Sequence, residues 1–127
     1  MGSRNCPCIT VLRERFRDTF HVPNVPDDLL AYDEKECHTL ISRVTGTDGM
    51  TPGLVAPFAA RIDVPVFLAF GEHDVSEDPK AETAGYPHSP DITLVVMPEM
   101  AHMHNFAATR MRLWQRFADW LPVVTAH

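Results

Sequence analysis

The sequence predicts an α/β fold: an incomplete parallel sheet of two clear strands, with flanking helices and a helical segment ahead of it. Three observations carry this. Val66-Phe67-Leu68-Ala69-Phe70 and Ile92-Thr93-Leu94-Val95-Val96-Met97 are runs that are apolar almost throughout. Strands covered on both faces have that pattern, whereas strands with one wet face alternate. The 21 residues from Gly71 to Asp91 separate the runs, enough for the crossover that parallel neighbours require. From Phe106 to Leu121 apolar residues recur at helical spacing.

Taken in order, residues 9–20 suit an amphipathic helix. Ile9, Leu12, Phe16 and Phe20 form its apolar stripe, and Arg13, Glu14, Arg15, Arg17 and Asp18 lie between them. Pro23 and Pro26 stop it. Asp27 and Asp28 then cap a second short helix through Leu29, Leu30 and Tyr32. Residues 35–44 read as weakly helical, and Thr45-Gly46-Thr47-Asp48-Gly49 reads as a loop from its turn residues. Pro52 to Ala60 suits a short helix. Pro65 stands at the start of the first strand, where a missing N–H is tolerated. Lys80, Ala81 and Glu82 supply a helical turn in the crossover. In the last helix Ala107, Met111, Trp114, Phe117, Ala118 and Leu121 share one face, Asn105 is the expected N-cap and Pro122 the expected stop.

The chain of 127 residues divides into a helical portion, 1–59, and a second portion, 60–127, that holds both strands. Two strands have unpaired ladder groups on their outer edges, and a two-stranded unit is marginal alone. A homo-oligomer contact or a partner chain covering the open edge is therefore expected.

Charge narrows the partners. The formal net charge is -6, against a nucleic-acid binder, which needs a basic stripe. No apolar run approaches the ~20 residues of a membrane helix. The first six residues lack the apolar core of a signal peptide, so a cytoplasmic setting is expected. The three cysteines, Cys6, Cys8 and Cys37, are an odd number, which fits reduced thiols better than a disulfide framework.

Two residues stand where chemistry is done in α/β sheets, at the carboxyl ends of strands. Asp74 follows the first strand and His102 the second. Adjacent parallel strands would bring their loops together. A carboxylate that holds an imidazole in one tautomer and stabilises its charged form is the Asp–His half of a Ser–His–Asp triad. Asp78 and His104 are the nearest substitutes.

These residues resemble the C-terminal end of the α/β-hydrolase family. There, a strand of pattern "vPvl…G..D" delivers the acid and the next strand ends in a "P…aH" loop. Here Val64-Pro65-Val66-Phe67 with Gly71 and Asp74 match the first, and Pro98-Glu99-Met100-Ala101-His102 match the second. The helix after the histidine and the order acid then histidine also agree. The resemblance implies hydrolysis of an ester-like small substrate, with Asp74 as orienting carboxylate, His102 as general base and acid, and no cofactor. It also implies that residues 9–45 derive from a helical cap. The family's G-x-S-x-G motif is not among the 127 residues: Ser3, Ser42, Ser76 and Ser89 all lack the flanking glycines. The expectation is a C-terminal portion of a hydrolase, as a truncated gene model, a short paralogue or one piece of a split protein, weakly active or inactive alone.

Two other classes compete. Glu72, His73, Asp74, His102 and His104 are a set of metal-capable side chains. The unfinished sheet points to a non-catalytic binding or assembly module completed by a partner strand.

Overall fold

Val66–His73 and Ile92–Ala101 pair in parallel in a computed structural model that describes residues 8–10, 13–37 and 40–126. In chain order the elements are β1 (Cys8–Thr10), a 3-10 turn (Arg13–Phe16), α1 (Arg17–Phe20), α2 (Asp27–Glu36), β2 (Leu40–Ser42), α3 (Arg43–Gly49) and α4 (Ala56–Ala59). β3 (Val66–His73), α5 (Pro79–Glu82), β4 (Ile92–Ala101) and α6 (Arg110–Thr125) complete the chain. The described architecture is mixed α/β, with a two-stranded parallel sheet flanked by helices and a separate two-stranded antiparallel ribbon. No helix among the described residues is long and apolar enough to cross a membrane.

The crossover forms as its length requires. The Asp78 carboxylate caps α5, accepting from the N–H groups of Lys80 and Ala81 at 3.1 Å each, with Pro79 in the first turn. The Ser89 hydroxyl donates to the carbonyls of Val64 and Asp91. That bond draws the two strand entrances together, and the Val66 N–H donates to the Asp91 carbonyl at 2.9 Å.

The N-terminal portion departs from its helical reading. Cys8–Thr10 is a strand, paired antiparallel with Leu40–Ser42 in the register Cys8↔Ser42, Ile9↔Ile41, Thr10↔Leu40. The β-branched Ile9 and Thr10 favour extended backbone, and Arg13–Phe16 is a 3-10 turn. Of the expected stripe, Leu12 lies outside the described residues, as do Cys6 and Pro7. The weak helix expected over 35–44 is instead the end of α2, then β2. The loop expected at 45–49 is α3, because the Ser42 hydroxyl caps it by accepting the Thr45 N–H at 3.0 Å. One N-cap bond outweighed two glycines. The helix expected over 52–60 is reduced to four residues.

α6 lies on one face of the parallel sheet, rotated from its expected orientation. Leu113 is buried, while Met111 and Trp114 are 68% and 50% exposed. Phe67 of β3 sets the rotation. Its ring meets Phe117 at 5.5 Å and Trp120 at 5.3 Å, and those two stack at 5.8 Å. Aromatic pairs at such distances add ~0.5–1.5 kcal/mol each beyond buried area, more than the burial of Ala118 can offset. Pro122 does not stop α6, which continues to Thr125. Asn105 is not its cap either, because a 3-10 turn, His104–Phe106, intervenes.

The core is the α6 side of the sheet: Val95, Met97, Met100, Ala107 and Leu113, with Phe67 and Ala69 against them. The opposite face corrects the expectation of strands covered on both sides, since Val96 is 48% and Ile92 37% exposed. Apolar content alone cannot distinguish a covered face from one left open.

The register breaks where the strands leave the sheet. Gly71 opposes Met97, but His73 opposes Ala101. The surplus on β4 forms a bulge around Pro98, Glu99 and Met100. Glu99 takes a left-handed backbone, φ 53°. Its N–H donates to the Glu72 carboxylate at 3.2 Å, and its carbonyl accepts from the Asn24 amide at 3.2 Å. The bulge drives the Met100 carbonyl against Gly71, where an added Cβ would lie 2.3 Å from that oxygen. Gly71→Ala should therefore destabilise the chain by about 1–3 kcal/mol, read as a lower urea midpoint at an unchanged slope.

Candidate functional site

Asp74 is placed by a turn. Its N–H donates to the Gly71 carbonyl at 3.2 Å, closing the chain just beyond β3. His102 and His104 are placed by a tighter one, in which the His104 N–H donates to the His102 carbonyl at 3.0 Å. The two turns face each other because their strands are parallel neighbours.

The geometry centres on the Asp74 carboxylate, whose side chain is 4% exposed. Oδ1 accepts from His102 Nδ1 at 2.8 Å and from the Val75 N–H at 2.7 Å. Oδ2 accepts from His104 Nε2 at 2.9 Å and from the Gly71 N–H at 3.1 Å. Four donors fill the roughly four lone-pair sites of an ionised carboxylate. Burial pushes the Asp74 carboxyl up. The bonds from His104, His102, Val75 and Gly71 outweigh it and bring the group from its ordinary 3.8 down to about 2. It is therefore an anion at neutral pH and can only accept.

That fixes both imidazoles. His102 must carry its proton on Nδ1 and His104 on Nε2. When His102 is neutral, Nε2 holds the lone pair; it bonds no described residue, and the side chain is 47% exposed. A histidine so held takes a proton at Nε2 and returns it while Asp74 stabilises the cation. Beside it lies a cleft of about 300 Å³, lined in part by Met103, Leu113 and Trp114.

Sequence reasoning named Asp74, His102 and His104, and the structure brings all three together. It missed what holds the histidine loop from the other side. The His102 N–H donates to the Thr19 carbonyl at 3.2 Å and the Met103 N–H to the Phe20 carbonyl at 2.9 Å. The Phe20 ring stacks on His102, centroids 5.7 Å apart. The next residue, His21, forms a second histidine–carboxylate pair with Asp33 at 3.1 Å, buried on both sides. The His21 ring also meets the edge of Phe106 at 5.3 Å. No spacing in the chain announces contacts between residues so far apart.

A nucleophile does not join them among the described residues. Ser76 donates to Glu82, Ser89 to the carbonyls of Val64 and Asp91, and Ser42 pairs with Thr45. Ser3 lies outside the described residues. Among the described residues no three His, Cys, Asp or Glu side chains are placed to hold one metal ion. The two imidazoles meet on a carboxylate instead, and His73 and Glu72 stand 3.9 Å apart on the surface.

The sequence matches no protein-family model, no curated protein and no solved structure.

A depressed carboxylate pKa links this site to acid stability. The contribution of Asp74 is fully present above the unfolded value near 4 and is lost as pH falls through about 2. Asp74→Asn should flatten the acid-unfolding profile within that window, followed by circular dichroism. In the same variant the downfield Nδ1 proton resonance expected of His102 should vanish.

Proposed function

We propose that the portion from about Ala60 onward is the acid-and-histidine part of an α/β-hydrolase-type enzyme, a Ser/His/Asp hydrolase acting on a small ester-like substrate. The observation that carries it is the 2.8 Å bond from His102 Nδ1 to Asp74 Oδ1. It joins loops that leave neighbouring parallel strands, and the Nε2 atom stays open to a reacting group. In this reading His102 Nε2 takes the proton of an attacking hydroxyl and passes it to the leaving alkoxide. Asp74 holds the tautomer and offsets the imidazolium charge. The hydroxyl and the oxyanion donors come from outside the described residues, and with them the largest catalytic contributions. The isolated chain is then weakly active or inactive. A cytoplasmic setting fits the odd number of cysteines.

A second reading, a non-catalytic module completed by a partner strand, is favoured by the half-exposed Val96 and by outer sheet edges that are unpaired among the described residues.

The test is to read the gene upstream of the Met1 codon and to express any extended frame. The proposal expects a strand, G-x-S-x-G and a helix there, and turnover of p-nitrophenyl acetate by the longer product. That turnover should fall on the order of 10⁴-fold in Asp74→Asn, as in other triads. An upstream frame without such a motif, or turnover indifferent to His102→Ala, would overturn it. The 127-residue chain alone should hydrolyse the ester no faster than free imidazole. Faster turnover abolished by His102→Ala would refute the inactivity.

A further inference from the structure

We infer that the groove between the free edge of β4 and α6 receives an extended acidic segment of another protein, added to the sheet as a strand. This does not rest on the hydrolase reading, because the groove lies on the side of β4 away from β3 and uses neither Asp74 nor His102.

The groove measures about 630 Å³. Three consecutive residues of β4, Val96, Met97 and Pro98, line it. Consecutive strand residues point to opposite faces, so a cleft that touches all three runs along the strand's edge. That edge is unpaired among the described residues, where the sheet has two strands. The Val66 N–H bonds the Asp91 carbonyl. In the parallel alternation this turns the backbone groups of Thr93 and Val95 toward β3 and those of Ile92, Leu94 and Val96 outward. Pro98, without an N–H, ends the usable edge.

The opposite wall is charged. Arg112 and Arg116 line it, and neither guanidinium has a carboxylate partner among the described residues, although the chain carries an excess of acids. Four residues of helix advance ~6 Å, and alternate residues of an extended chain repeat every ~6.6 Å. A strand laid along β4 with acids at two alternate positions would therefore offer one carboxylate to each arginine. Asp119 stands further along the wall, bonded to Gln115 Nε2 at 2.7 Å, and repels a third acid. Met111 and Val96 supply apolar surface for the residues between. Backbone pairing gives affinity here and the charges give direction.

The probe is a fluorescein-labelled octapeptide alternating valine and threonine with aspartate at two alternate positions, titrated against the full chain by anisotropy. Saturable binding that weakens with salt is expected, with about a tenfold loss for the asparagine version of the peptide. The double variant Arg112→Glu/Arg116→Glu should lose the acidic peptide and gain one with lysine at the same positions. Because both arginines lie on the surface of α6, circular dichroism of the variant should match that of the parent. A proline in the middle of the peptide should abolish binding, which separates strand addition from simple ion exchange. No binding of the acidic peptide, equal binding of the asparagine peptide, or full tolerance of the proline would overturn the proposal. So would light scattering that shows the groove closed by a second copy, released by the same double variant.

Discussion

A single carboxylate organises the end of the chain's parallel sheet where both strands finish. Asp74 is almost fully withdrawn from water, which would cost several kcal/mol if its charge were unmet. It is met from four directions, by two backbone N–H groups of its own turn and by two imidazoles from the next loop. The demand runs both ways. The turn beyond β3 exists because the carboxylate ties back onto Gly71 and Val75. The loop after β4 takes its course because His102 and His104 have one anion to share. Removing any donor would leave a buried charge short of a partner, which is a larger penalty than the net worth of the bond.

The bulge of β4 belongs to the same constraint. Without the surplus residues between Met97 and Ala101, His102 would leave the sheet earlier and fall short of the Asp74 turn. The bulge needs a left-handed Glu99 and a Cβ-free position opposite Met100. The chain meets the second with Gly71 and braces the first with Asn24 and Glu72. Asn24 does double duty, since its side-chain Oδ1 also accepts the Ala108 N–H at the approach to α6.

Much of this was legible in the residues. Two apolar runs, a crossover-length connection and polar residues after each run were enough to anticipate the parallel pair and the meeting of Asp74 with His102. Such features are local, or follow from one rule of chain geometry. The failures at β1 and on α6 have a common cause, in that each depended on which surfaces found partners. Ile9 sits at helical spacing with Phe16, yet its segment pairs as a ribbon because β2 is available. The α6 stripe through Met111, Trp114 and Ala118 looked like the buried one. Phe67 turned the helix so that Phe117, a member of that stripe, went inward with Trp120, while Met111 and Trp114 stayed exposed. Thr19 and Phe20 carried no sign of their place beside His102, because neither a carbonyl nor a phenyl ring is a motif.

The bonds that brace this end of the sheet join residues 75 and 84 positions apart. Closing so long a span costs chain entropy before any contact rewards it. The helical turns can form early from neighbours in sequence, whereas the brace across Asn24 must wait for Glu99 and Ala108 to be in place. During synthesis on a ribosome, the residues that set the histidine loop would therefore stay apart until the segment through Ala108 has emerged.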